Sequence, residues 1–86
     1  MKLLFTEEGW EDYVSCQQDR RVVKQVHKLI ADIQRHGHVG LGRPEELRGD
    51  QRGWWSRRID EKNRLIYRFR DDAVEIAQCG GHYQDH

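Results

Sequence analysis

Trp54-Trp55-Ser56-Arg57-Arg58-Ile59, then Asp60-Glu61-Lys62-Asn63, then Arg64-Leu65-Ile66-Tyr67-Arg68-Phe69-Arg70 is the stretch that decides the fold. Trp55, Arg57 and Ile59 alternate with Trp54, Ser56 and Arg58, and Leu65, Tyr67 and Phe69 alternate with Arg64, Ile66, Arg68 and Arg70. A period of two predicts a pair of strands, and the polar residues between them predict a hairpin turn. Asp71-Asp72 marks another turn. Beyond it Val74, Ile76 and Gln78 alternate with Ala73, Glu75, Ala77 and Cys79, which predicts a third strand before Gly80-Gly81-His82-Tyr83. Core strands seldom carry this many guanidinium groups, whereas a sheet face that binds a phosphate backbone needs them. A histidine at its edge adds a group that can carry a proton near neutral pH.

Upstream, Lys2-Leu3-Leu4-Phe5 predicts a short opening strand. Thr6 is a candidate N-cap, with Glu7 and Glu8 placed to favour a helix dipole, and Trp10, Tyr13, Val14 and Gln17 follow at helical spacing. Asp19 is a second candidate N-cap. Val22, Val23, Val26, Leu29, Ile30 and Ile33 form an apolar stripe of helical period behind it, opposite Arg20, Arg21, Lys24, Lys28 and Arg35. His36 to Pro44 is a glycine-rich connection without the Gly-Lys-Ser/Thr ending of a P-loop. Glu45-Glu46-Leu47-Arg48 then reads as a short amphipathic segment. One strand, two helices and an antiparallel meander make an α+β layer with the helices on one face. The other face is left for solvent or ligand.

With 86 residues the chain is one small domain, 1–86, and its 36% hydrophobic content gives it a thin core. The zero formal net charge conceals an uneven distribution. Residues 1–19 hold one basic and five acidic side chains, residues 20–70 fourteen basic and six acidic, and residues 71–86 four acidic and no Lys or Arg. Eleven of the fifteen basic residues are arginine, which favours bidentate recognition of phosphate or carboxylate. There is no secretory apolar segment and no run of membrane-spanning length, so a cytoplasmic protein is expected. The two cysteines, Cys16 and Cys79, are expected as free thiols. Cys79 and His82 have C-x-x-H spacing but lack a second ligand pair, so no metal site is expected.

Cutting RNA at its own 2′-hydroxyl requires a base for that hydroxyl, an acid for the leaving 5′-oxygen, and fixed cations for the charged phosphorane. A carboxylate, a histidine or tyrosine and one or two arginines suffice, with no metal. Arg58 and Arg64 flank one tight turn, His82 and Tyr83 follow the third strand, and Glu45 precedes the hairpin.

Met1 to Tyr13, Gly42-Arg43-Pro44-Glu45-Glu46-Leu47-Arg48, Trp55-Ser56-Arg57-Arg58-Ile59, Asn63-Arg64-Leu65-Ile66-Tyr67 and His82-Tyr83 together resemble the YoeB toxins, the Txe/YoeB family within the RelE-like superfamily. The resemblance covers nearly the whole chain. It implies a RelE-like fold and a ribosome-dependent mRNA endoribonuclease, an mRNA interferase, that cuts the codon in the A site and is neutralised by a YefM/Phd-type antitoxin. Carried over by position, it implies Glu45 as general base, His82 as general acid, and Arg64 on the transition state. It puts Arg58 and Arg48 on phosphates and Tyr83 on orienting or stacking the substrate, and Arg57, beside Arg58, joins the phosphate-binding set. No cofactor is implied. A homodimer is implied by resemblance only, and contact with operator DNA only through the antitoxin complex. Gly80-Gly81 replaces a bulky residue common before His-Tyr, Glu46 stands where proline is common, and Gln84-Asp85-His86 follow the tyrosine. The alternative is a non-catalytic module that blocks translation by occupying the ribosome and acts in a DNA-bound repressor complex.

Overall fold

The computed structural model describes residues 1–80; the site assignments made to His82 and Tyr83 lie outside them. The elements run β1 (Lys2–Phe5), α1 (Glu7–Cys16), α2 (Arg20–His36), β2 (Glu45–Glu46), a short 3-10 turn (Gly49–Gln51), β3 (Trp55–Arg58), β4 (Arg64–Arg70) and β5 (Ala73–Cys79). Both expected caps form. Thr6 Oγ1 accepts from the Gly9 N–H at 3.0 Å, and Asp19 Oδ1 accepts from the Arg21 N–H at 3.0 Å. Each satisfies backbone donors that the helix start leaves without partners.

The five strands form one mixed sheet in the order β1-β5-β4-β3-β2, so the architecture is α+β as expected. Three features go beyond the sequence reading. First, β1 pairs in parallel with β5, Lys2 beside Ala73 and Phe5 beside Ile76, so the sheet is more than an antiparallel meander. Second, Glu45-Glu46, read as part of an amphipathic segment, is an edge strand on β3, with Glu45 opposite Ser56 and Glu46 opposite Trp55. Third, the strict alternation expected in the last strand fails. Ile66 pairs with Gln78 but Tyr67 pairs with Ile76, leaving Ala77 as a bulge. The extra residue turns Cys79 into the core and Gln78 to the opposite face.

The stripe on α2 packs as its spacing predicts. Val26, Leu29, Ile30 and Ile33 are buried against Ile59, Leu65, Tyr67, Val74, Ile76 and Cys79. Helix α1 uses small and polar residues for its inner face instead: Gly9 and Asp12 are buried, while Trp10 and Val14 are exposed. It lies along the β5 edge past the end of β1. A Cβ on Gly9 would stand 2.1 Å from the Ile76 carbonyl oxygen, so only glycine permits this approach. Asp12 Oδ2 accepts from the outward Cys79 N–H at 3.1 Å and closes the edge chemically. Asp71 and Asp72 both take positive φ, 48° and 65°, as the two-residue hairpin between β4 and β5 requires.

Candidate RNA-binding face

On the sheet face turned away from α2, cross-strand pairing arranges side chains in rows. Glu45, Ser56, Ile66 and Gln78 form one row, and Arg58 and Arg64 form the neighbouring one. Directly opposed residues hold their Cβ atoms about 5 Å apart, so Glu45 projects beside Ser56 at the β2 edge. Ser56 is buried, and its Oγ accepts from Arg64 Nη1 at 3.1 Å, which fixes the guanidinium over the row that begins with Glu45. Arg58 is exposed and Arg64 half-buried, and neither forms an ion pair among the described residues. Asp60 is spent within its own turn, accepting from the Lys62 and Asn63 N–H groups at 2.8 and 2.7 Å. Those bonds hold the Asp60 carboxyl below its ordinary range against the opposing effect of burial. The two arginines therefore keep their charge for an external anion.

Arg48 is exposed and shares a surface cleft of about 530 Å³ with Glu45, Glu46, Leu47, Gly49 and Arg52. The cleft lies at the β2 end of the sheet and adds two guanidinium groups beside the Glu45 carboxylate. The described chain ends at Gly80, whose N–H donates to the Arg64 carbonyl at 3.0 Å. Gly80 itself therefore sits beside Arg64. Cys79 offers no nucleophile, because burial pushes its thiol up to about 12.

Arg57 departs from the sequence reading. Its side chain is completely buried on the α2 side of the sheet, opposite Leu65, and is not available to bind phosphate. Its Nη1 donates to Asp32 Oδ2 at 2.6 Å and to the Leu41 carbonyl at 3.0 Å. Its Nη2 donates to the Gly37 and Val39 carbonyls at 2.6 and 3.2 Å. Asp32 Oδ2 also accepts from the Leu41 N–H at 3.1 Å, and these two hydrogen bonds, the one from Arg57 foremost, hold its carboxyl below the usual range. Arg57 is the internal clamp of the glycine-rich connection, and that connection delivers Glu45 to the sheet. Arg57→Met removes four hydrogen bonds to part-buried acceptors, one of them the Asp32 carboxylate, each worth about 0.5–1.5 kcal/mol net. The expected result is a loss of more than about 3 kcal/mol of unfolding free energy in urea titrations, from the same hydrogen bonds. A variant as stable as the wild type contradicts the clamp.

His38 completes this network. It stacks on Trp55 at 3.8 Å between centroids with planes 7° apart, and meets Phe69 edge-on at 4.9 Å. Tyr67 Oη accepts from Arg57 Nε at 3.4 Å, so its own O–H is free to donate to His38 Nδ1, 3.2 Å away. Burial, then the Arg57 charge, hold His38 below its ordinary value, with Glu46 opposing. The folded state therefore binds a proton less readily than the unfolded chain. Its contribution to stability is complete above the ordinary value of 6.5 and declines as the pH falls below it. Urea unfolding at neutral pH and at about pH 5.5 is expected to show a larger loss for the wild type than for His38→Asn. Equal losses contradict a neutral His38 in the fold.

Residues 5–83 match the family described as the YoeB-like toxin of bacterial type II toxin–antitoxin systems. The chain belongs to that family. The Streptomyces coelicolor toxin YoeB is 50% identical over 84 residues, covering 96% of this chain and all of that relative. Among solved structures, a YoeB/ParE toxin from Agrobacterium tumefaciens superposes with a TM-score of 0.91 at 42% identity, covering 96% of this chain and all of that one. The toxin chain of a YoeB–YefM complex from Staphylococcus aureus gives 0.89 at 36% identity, over 96% of this chain and 98% of that one. A YoeB dimer from the same organism gives 0.88 at 38%, with the same coverage. The chain is therefore a toxin of the type II toxin–antitoxin class with the RelE-like α+β fold. No helix among its described residues is long and apolar enough to cross a membrane.

Of the residues picked out by sequence, the fold brings Glu45, Arg58 and Arg64 onto one face with Arg48 in the adjoining cleft, and separates Arg57 from them. Ser56 was missed as the group that orients Arg64, although its place between Trp55 and Arg57 already put it on the arginine face. Asp32 was missed as the Arg57 counter-ion, and no local signal links residues so far apart in sequence.

Proposed function

We propose that this toxin is a ribosome-dependent mRNA endoribonuclease that cuts the codon exposed in the A site. The observation that carries the reading is the placement of Glu45, Ser56, Arg58 and Arg64 in adjoining rows of one sheet face. A carboxylate beside two cations that form no ion pair among the described residues matches the charge that develops when a 2′-hydroxyl attacks a phosphodiester. Glu45 accepts the 2′-hydroxyl proton as the oxygen bonds to phosphorus. Arg64, held by Ser56, faces the extra charge of the phosphorane. Arg58 and Arg48 hold neighbouring phosphates. His82 supplies a proton to the departing 5′-oxygen and Tyr83 orients the substrate. The products are a 2′,3′-cyclic phosphate and a 5′-hydroxyl, so protons and charges balance without water or a metal ion.

The partners follow from the same reading. A YefM-type antitoxin covers the basic face with an acidic segment, the toxin pairs with a second copy of itself, and operator DNA is met only through the antitoxin complex. The place of action is the cytoplasm, where the ribosome and message are. Primer extension on message bound to programmed ribosomes tests the activity. Discrete breaks inside the A-site codon are expected. Stalled ribosomes on intact message contradict cleavage and assign the face to binding alone.

A further inference from the structure

The face that carries Glu45, Arg58 and Arg64 continues past them. Extending the Trp55–Tyr67 pairing by one residue sets Trp54 opposite Arg68, and Arg68 in turn pairs with Glu75. The Arg68 guanidinium carbon stands 4.3 Å from the centre of the Trp54 ring. Its Nε donates to Glu75 Oε1 at 2.7 Å, and Arg70 Nη1 donates to Oε2 of the same carboxylate at 3.4 Å. Glu75 is 7% exposed, whereas 38% of the Arg68 side chain is open to solvent. The guanidinium is thus pinned by an indole on one side and a buried carboxylate along one edge.

This row lies two residues along the strands from the row of Glu45 and Ser56, about 6.6 Å at ordinary strand rise. The next row holds Arg70, Ala73 and Lys2, so the cationic track runs on in the same direction. Glu75 offsets the charge of Arg68, so what Arg68 presents to RNA is chiefly its flat surface. A guanidinium plane backed by an aromatic ring is a stacking surface for an unpaired base.

We propose that Trp54 and Arg68 form a stacking platform for a message base adjacent to the scissile phosphate. The inference rests on the reading of this face as the RNA-cutting site. It adds a base-binding subsite on β3 and β4 beside Glu45, Arg58 and Arg64, which act on phosphate and ribose.

The test uses the full-length toxin on programmed ribosomes carrying either intact message or message with a single abasic nucleotide at each position flanking the cut. Removing the base at one of these positions is expected to raise the ribosome concentration needed for half-maximal single-turnover cleavage by the wild type, by about 10-fold. Arg68→Ala is expected to show that same increase, about 10-fold, on intact message and no further increase on the abasic one. Arg68→Lys keeps the charge but not the plane, so it is expected to resemble Arg68→Ala. Full recovery by lysine, or equal losses for Arg68→Ala on intact and abasic message, shows an electrostatic role and overturns the platform. A wild type indifferent to every abasic position overturns it as well, whatever the variants do. A wild type that cuts no message removes the proposed function and this inference together, whereas one that cuts while Arg68→Ala matches it on intact message removes the inference alone.

Discussion

Arg64→Ala is expected to lower the single-turnover cleavage rate at saturating programmed ribosomes by about 10²–10³-fold, the loss typical of one preorganised donor to a developing negative charge. Ser56 Oγ fixes one Arg64 nitrogen at 3.1 Å, so the guanidinium is oriented before the substrate arrives. Arg58→Ala removes an equal charge from the neighbouring position on β3, opposite Arg64, but Arg58 is exposed and lacks that tether. Its loss is expected to act mainly on binding, as added salt does on the wild type. Arg64→Lys is expected to rescue little, because an ammonium cannot bond Ser56 and a phosphate oxygen with the fixed fork of a guanidinium. If Arg64→Ala changes only the half-saturating concentration, Arg64 positions the substrate and does not stabilise the transition state.

Glu45→Gln is the second large effect. Glutamine keeps the size and polarity of the side chain and removes its ability to take a proton. General acid–base groups contribute about 10²–10⁴-fold, and a loss in that range is expected in the saturated rate. His82→Gln is expected to lose activity over the same range, about 10²–10⁴-fold, through the leaving group. Because Glu45 sits on an exposed two-residue edge strand, its replacement is expected to leave urea unfolding nearly unchanged. Full activity of Glu45→Gln in folded protein removes the carboxylate from the mechanism.

Much of this was legible in the chain. Thr6 and Asp19 announce their helices because capping is local chemistry, and the stripe from Val22 to Ile33 gives the buried side of α2. The alternation in β3 and β4 separates the two sheet faces, and with them Arg58 and Arg64 from the core. Arg57 shows the limit of reading by residue type. Its period aligned it with Trp55 and Ile59, the buried face, yet its chemistry suggested phosphate. Periodicity prevailed because Asp32 and the carbonyls of Gly37, Val39 and Leu41 compensate the charge inside the protein. The parallel β1–β5 pair, the bulge at Ala77 and the strand at Glu45-Glu46 were not legible, since each depends on a partner distant in sequence or on a register shift. The Trp54–Arg68–Glu75 row was hidden for the same reason: three unremarkable residues on separate stretches meet only when the strands are in register.

The central claim is that the message supplies its own nucleophile on this face, with Glu45 and Arg64 acting on it. Replacing the 2′-hydroxyl at the nucleotide 5′ to the cut with hydrogen, in an otherwise identical ribosome-bound message, tests it most directly. The account predicts that single-turnover cleavage at that position disappears while the toxin still binds the programmed ribosome. Cleavage of the 2′-deoxy message at the wild-type rate would show that another nucleophile attacks the phosphate, and would contradict the account.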